Sequence, residues 1–320
     1  VGETEVTTMI KIYRSNTQGQ LARIDKYTKG TWIHLIDPTD QEVKEVVEET
    51  KIPRYFIKDP LDEEEKSRIE KEDEGTLIIV DIPIMTPNGT KHEKFITIPL
   101  GIIVTDDYVI TVCLKETPIL EDFTRKKIKN FYTFMKTRFV LQLFYVISTY
   151  YLAYLKQINR KTNDIEKELR QSLKNQELFS LLNLQKSLVY FTTSLKTNQV
   201  VTQKISRGQY LRLYDQDQEL LEDVIIENKQ AIEMAEIYTP IVSGLMDTFA
   251  SVISNNVNNV MKILTSLTII LTFPIMIASV YGMNIPIPFQ HSPYAFAVIM
   301  IVSIVLSSIT TFVFWKKRYL

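Results

Sequence analysis

Alternating apolar and polar positions rich in Ile, Val, Trp and Tyr mark five strands, over residues 9–13, 31–36, 77–85, 95–104 and 108–114. Asp106-Asp107 supplies a hairpin turn between the last two, and Pro87-Asn88-Gly89 closes the third. Asp37-Pro38-Thr39 opens a helix. Thr39 and Glu42 have the spacing of a capping box, and Val43, Val46 and Val47 give the buried face. A second helix, acidic, is expected over residues 59–74, with Glu64 and Arg68 as an i,i+4 pair. Residues 1–118 therefore predict a small α/β domain.

Helical periodicity takes over from residue 119 to about residue 209, where Phe131, Phe134, Phe139, Leu143, Tyr150 and Leu155 recur and few breakers interrupt. Residues 119–212 predict a helical hairpin region. Tyr150, Tyr151 and Tyr154 fit its packing better than they fit a stacking platform. Arg207-Gly208 marks a break. From Leu220 a seam follows in steps of three and four: Val224, Asn228, Ala231, Ala235, Tyr238, Val242, Leu245, Phe249 and Val252. It predicts a stalk helix over residues 213–283 whose last part, about residues 263–283, enters a membrane. Pro240 removes one helical hydrogen bond and is expected to kink that helix.

No Lys, Arg, Asp or Glu occurs from Ile263 to Trp315. Two apolar segments, residues 263–280 and 295–315, are each long enough to cross a hydrocarbon core of about 30 Å. A loop over residues 284–293 joins them, residues 294–315 form the second span, and residues 316–320 are a basic tail. Along the stalk and first span, steps of three and four collect Asp247, Ser251, Ser254, Asn258, Met261, Thr265, Thr268, Thr272, Ile275 and Ser279 on one face. Eight of these ten are polar. Lipid does not tolerate such a line, so the face looks at protein or at water. Back-bonded Ser and Thr in a helix–helix contact explain single positions. The unbroken run from a carboxylate through Asn and Thr favours a wet conduit.

Composition narrows the function. Among 320 residues, 37 Lys+Arg balance 38 Asp+Glu, which argues against nucleic acid as partner. Lys262 precedes the first span and Lys316, Lys317 and Arg318 follow the second, while the loop has no basic residue. The positive-inside rule places both ends in the cytoplasm and the loop outside. The polar, acidic start shows no signal peptide. Cys113 stands alone in an apolar strand pattern and is expected to be buried. His34, His92 and His291 lack metal-ligand spacing, and there is no phosphate loop or nucleophile motif, so no enzyme is expected.

Tyr281-Gly282-Met283-Asn284 stands at the outer end of the first of two carboxy-terminal spans, and Asn258-Asn259-Val260-Met261-Lys262-Ile263-Leu264 leads into it. In motif and position this resembles the CorA family of divalent-cation channels. The resemblance implies an α+β membrane protein: a cytosolic α/β domain, a helical domain with a long stalk helix, and two transmembrane helices in a pentameric funnel of the cell (inner) membrane. Two spans cannot enclose a pore, so several copies each give their first span to the axis.

The implied cargo is Mg2+, a hard ion that keeps its water. Tyr281, Gly282, Met283 and Asn284 form the selectivity filter, with Asn284 carboxamides meeting the hydrated ion and Gly282 allowing the turn that presents them. Asp247, Ser251, Ser254, Asn258, Thr265, Thr268, Thr272, Ile275 and Ser279 line the pore, which Met261 and Leu264 narrow. Asp223, with Glu222 beside it, sits where the family's stalk carries an acid that binds regulatory divalent ions between copies. Two departures stand out: residues 285–292 hold no carboxylate, and Asn88-Gly89 occupies the turn expected to carry the partner acid. Alternatives are a related Zn2+, Co2+ or Ni2+ transporter, with or without proton coupling, and a membrane-anchored scaffold or sensor without flux.

Overall fold

The computed structural model describes residues 9–86, 94–171, 175–284 and 292–317. The turn at Pro87-Asn88-Gly89, His92, loop residues 285–291 with His291, and Arg318 lie outside the described residues. The chain divides into two compact units, Val1–Met246 and Asp247–Leu320.

The first unit is built on one mixed sheet. Its strands are β1 (Ile10–Ser15), β2 (Leu21–Ile24), β3 (Thr31–Ile36), β4 (Arg68–Glu72), β5 (Gly75–Thr86), β6 (Lys94–Val104) and β7 (Tyr108–Cys113), in the spatial order β2-β1-β3-β7-β6-β5-β4. Among these pairs β3–β7 alone is parallel, running from Thr31 opposite Tyr108 to Ile36 opposite Cys113. The Asp106-Asp107 hairpin forms as expected. There the Thr105 hydroxyl accepts from the backbone N–H groups of Asp107 (3.3 Å) and Tyr108 (2.9 Å).

Both sheet faces are covered, which is why the central strands read as near-continuous apolar runs. One face carries α1 (Asp40–Thr50) and α2 (Arg54–Lys58), which bury Val43, Val46, Phe56 and Ile57 against Ile33, Leu35, Leu77, Ile79, Ile103 and Val112. The capping box is present at the start of α1: Glu42 N–H donates to Thr39 Oγ1 (3.3 Å), and Thr39 N–H to Glu42 Oε2 (2.9 Å). The opposite face carries α3 (Pro118–Thr124), α4 (Lys136–Gln171) and α5 (Asn175–Ser206). Trp32 is fully buried there among Phe123, Phe131 and Phe139, with ring centroids 5.2–6.3 Å away. Tyr151 and Tyr154 are buried too, and Tyr151 donates its hydroxyl proton to the carbonyl of Asp81 (3.0 Å). The tyrosine row is packing.

Two expectations are corrected, and one strand was missed. Residues 59–74 are not a helix: Asp59–Leu61 is a single 3₁₀ turn, and Arg68–Glu72 is edge strand β4. Charge suits an exposed sheet edge. There Ile69 alone is buried, and Arg68 pairs with Asp59, Glu65 and Glu70 rather than Glu64. Nor are residues 119–209 helical throughout. After α3 the backbone turns left-handed at Lys126 and Asn130, and Phe131 drops into the aromatic cluster around Trp32 before α4 begins. The short strand β2 was not anticipated, because LARI has no alternation strong enough to mark it.

Helix α6 (Gln218–Tyr281) has 64 residues and continues unbroken through Pro240. Its root is fixed to α4. Asp217 is 1% exposed and pairs with Arg138 (3.4 Å), while Thr137 donates to the carbonyl of Arg212 (2.8 Å). The seam of the stalk lies along α5 of the same chain. Asn228 Nδ2 donates to the Leu195 carbonyl (3.3 Å), Gln185 Nε2 to Ser243 Oγ (2.8 Å), and Lys196 pairs with Glu236 (2.6 Å). Of the seam residues, Val224, Asn228, Ala231, Ala235, Val242 and Phe249 are buried. Gly208 has φ +71°, and an added side chain would be strained there, which explains the break before α6.

Candidate functional site

The second unit holds the apolar end of α6 and helix α7 (Ala295–Lys316), each long and apolar enough to cross a membrane. Every stripe position, Asp247, Ser251, Ser254, Asn258, Met261, Thr265, Thr268, Thr272, Ile275 and Ser279, is exposed, as is Leu264. The face against α7 is a different one. Ser266 and Ser303 are buried (2% and 6% exposed), and Ser307 Oγ donates to the Ile270 carbonyl (3.3 Å). Small side chains let two helices come close in this way. Ser266 and Ile270 stand one turn apart. Thr268 and Thr272 each differ from Ile270 by two positions, so they lie about 200° around the helix. Polar residues thus occupy two sides of α6: one packed on α7, the other open.

Three hydroxyls of the open side bond back to their own helix. Ser251 donates to the Asp247 carbonyl (3.0 Å), Thr268 to Leu264 (2.8 Å) and Thr272 to Thr268 (2.7 Å). The packed row of Ser266, Ser303 and Ser307 went unnoticed in the sequence. The i,i+4 spacing of Ser303 and Ser307 within an apolar span was the signal available.

At the end of α6, Tyr281 is the last helical residue, and Tyr281, Gly282, Met283 and Asn284 are all exposed. Gly282 lies in a turn directly after the last helical residue, and its backbone is not left-handed. Its N–H donates to the carbonyls of Ala278 (2.9 Å) and Ser279 (3.2 Å), and a Cβ would stand 3.3 Å from the Ala278 oxygen. Here glycine permits a close approach to the final turn.

Asp223 and Glu222 lie in the first unit, exposed on the first turns of α6. Among the described residues no group of three or more His, Cys, Asp or Glu side chains could hold a metal ion. Cys113 is a free, buried thiol whose pKa burial pushes up to about 12. His34 is also buried, and desolvation lowers its pKa to about 4.

A family model described as CorA-like Mg2+ transporter protein matches residues 28–318. The cobalt/magnesium transport protein CorA of Methanocaldococcus jannaschii is 25% identical over 299 residues, covering 90% of this chain and 91% of that protein. The complete structure of the CorA magnesium transporter from Methanocaldococcus jannaschii aligns with a TM-score of 0.82 at 22% identity, covering 98% of this chain and 100% of that one. The full-length CmaX protein shares the fold at a TM-score of 0.69 and 13% identity, covering 95% and 98%. With a two-span carboxy-terminal unit, a Tyr-Gly-Met-Asn end to the first span and a family match over nearly its whole length, the chain belongs to the CorA-like Mg2+ transporter protein family.

Proposed function

We propose that copies of this chain assemble into a divalent-cation channel in which α6 surrounds the axis and α7 stands outside it. The supporting observation is the stripe from Asp247 to Ser279, exposed along its whole length while α7 occupies another side of α6. One helix cannot enclose a pore, so a symmetric ring, a pentamer by family resemblance, brings the stripes together. Mg2+ is the main cargo, and Co2+ is the second candidate because the relative from Methanocaldococcus jannaschii is named for both metals. Mg2+ passes with its water shell. Tyr281, Gly282, Met283 and Asn284 form the outer filter, where Asn284 carboxamides accept hydrogen bonds from the water around the ion. Met261 and Leu264 make the apolar constriction that closes by losing water.

By the positive-inside rule, Lys262 and the basic tail support a cytoplasmic position for both ends of the chain. Asp223 and Glu222 bind cytosolic Mg2+ between neighbouring copies and favour the closed state. Their exposure, and the lack of a complete acidic cluster among the described residues of one chain, fit a site shared between chains.

The deciding experiment is Mg2+ uptake into proteoliposomes, read with an internal dye, alongside the mass of the detergent-solubilised assembly. Flux from a ring-sized particle is expected. A monomeric or dimeric particle, or no flux of Mg2+ or Co2+ from a well-folded ring, overturns the reading.

A further inference from the structure

Away from the membrane unit, an open groove of about 870 Å3 lies beside the β1–β2 hairpin, within the size range of small-molecule sites. Its lining includes Arg14, Lys29 and Lys126, the polar side chains of Asn16 and Gln20, and the ring of Phe134, and it holds no carboxylate. Lys29 is paired with Asp107 (3.1 Å). Arg14 and Lys126 make no ion pair among the described residues, so two cations face the groove without a counter-charge.

Two backbone features support a built site. Lys126 has φ +58° just past the end of α3, a left-handed position where glycine is the less strained residue. Gly30, also left-handed at φ +80°, lies against Phe134, whose Cβ is 3.1 Å from where a Cβ on Gly30 would stand. Phe134 keeps 44% of its surface exposed beside Tyr132, with ring centroids 5.4 Å apart.

We propose that this groove binds a nucleoside polyphosphate, with Arg14 and Lys126 on the phosphates and Phe134 against the base. Arg presents a planar fork that matches two phosphate oxygens, and Lys adds a point charge. An exposed ring at the rim offers a π-face to a purine. Inorganic phosphate alone has no use for the ring, and a lipid headgroup offers no planar partner.

The test is calorimetric titration of the full-length protein in detergent with ATP in excess EDTA, which removes any contribution from metal sites. Tripolyphosphate and adenosine serve as separate probes. Binding of ATP is expected, with affinity reduced about tenfold or more in Arg14→Ala and in Lys126→Gly. Lys126→Gly relieves the left-handed strain, so its Tm should rise by a few degrees, about the shift expected at such a site, and misfolding cannot explain its loss of binding. Phe134→Ala should weaken ATP and leave tripolyphosphate unchanged. No ATP binding, or unaltered affinity in both cation variants, overturns the site. Equal affinity for ATP and tripolyphosphate, indifferent to Phe134→Ala, overturns the nucleotide assignment. None of these outcomes depends on whether α6 lines a pore.

Discussion

The side chain of Asn198 on α5 pairs with the backbone of Asp81 on β5 as a neighbouring strand would. Its Nδ2 donates to the Asp81 carbonyl (2.8 Å), and its Oδ1 accepts from the Asp81 N–H (3.0 Å). The pairing of β4 with β5 ends at Arg68 opposite Ile79, so at Asp81 that edge has lost its partner. On the other side Asp81 faces Pro99, which has no N–H to give. The carboxamide is 4% exposed and also accepts from Ser67 Oγ (3.1 Å). Asn198→Ala strands a buried N–H, and unfolding of the detergent-solubilised protein should show a loss of about 1–3 kcal/mol. A loss no larger than that of an exposed alanine substitution would contradict this account.

The buried imidazole of His34 gives an acid limb to stability. Trp32 Nε1 donates to Thr111 Oγ1 (2.8 Å), the same hydroxyl is hydrogen-bonded with His34 Nδ1 (2.9 Å), and the imidazole stacks on Trp32. Burial, with Lys11 adding to it, lowers the pKa from 6.5 to about 4. The unfolded chain therefore binds the extra proton first. The contribution is whole above pH 6.5 and is lost as pH falls towards about 4. The total is roughly 3 kcal/mol. Tm measured against pH should fall over this window and flatten in His34→Gln; an identical slope in the variant would assign the limb elsewhere.

Asn284→Ala should cut Mg2+ flux by about tenfold or more, since conduction through a filter depends on its coordinating oxygens. The assembly should keep its mass. Wild-type flux in this variant would remove Asn284 from the filter.

Adjacent positions on α6 should respond differently. Thr265 is exposed and Ser266 is buried, one residue apart. Thr265→Val should leave the helix pair intact and change flux. Ser266→Leu should overfill the contact with α7 and lower Tm, at a cost of about 1–3 kcal/mol. Reversed outcomes would mean that the open side is not the functional one.

Asp223→Ala should raise the internal Mg2+ needed for half-inhibition by about tenfold, the effect of removing one charged contact. Glu222→Ala serves as the neighbour control. Inhibition curves that superimpose on wild type would exclude Asp223 from regulation.

Much of this architecture was readable from the residues. Thr39 and Glu42 announced the start of α1, and the lack of charge from Ile263 to Trp315 announced both membrane helices. What misled was charge without context. The RIEKE segment looks helical by composition, yet one buried Ile69 and a free sheet edge decide its structure. Pro240, which was expected to kink its helix, occupies an exposed position in a helix that runs unbroken from Gln218 to Tyr281. The split of α6 into a packed side and an open side was half visible: the stripe showed in the spacing, whereas Ser266 became distinct only once α7 lay against it.

The inward bonds of Thr268 and Thr272 have an electrical consequence. Each hydroxyl proton is committed to a carbonyl one turn back, so the atom turned outward is an oxygen lone pair. Water around a cation points its hydrogens away from the ion and finds acceptors on such a wall. If the proposed pore forms, these two positions would offer acceptors, rather than donors, to the water around a passing cation.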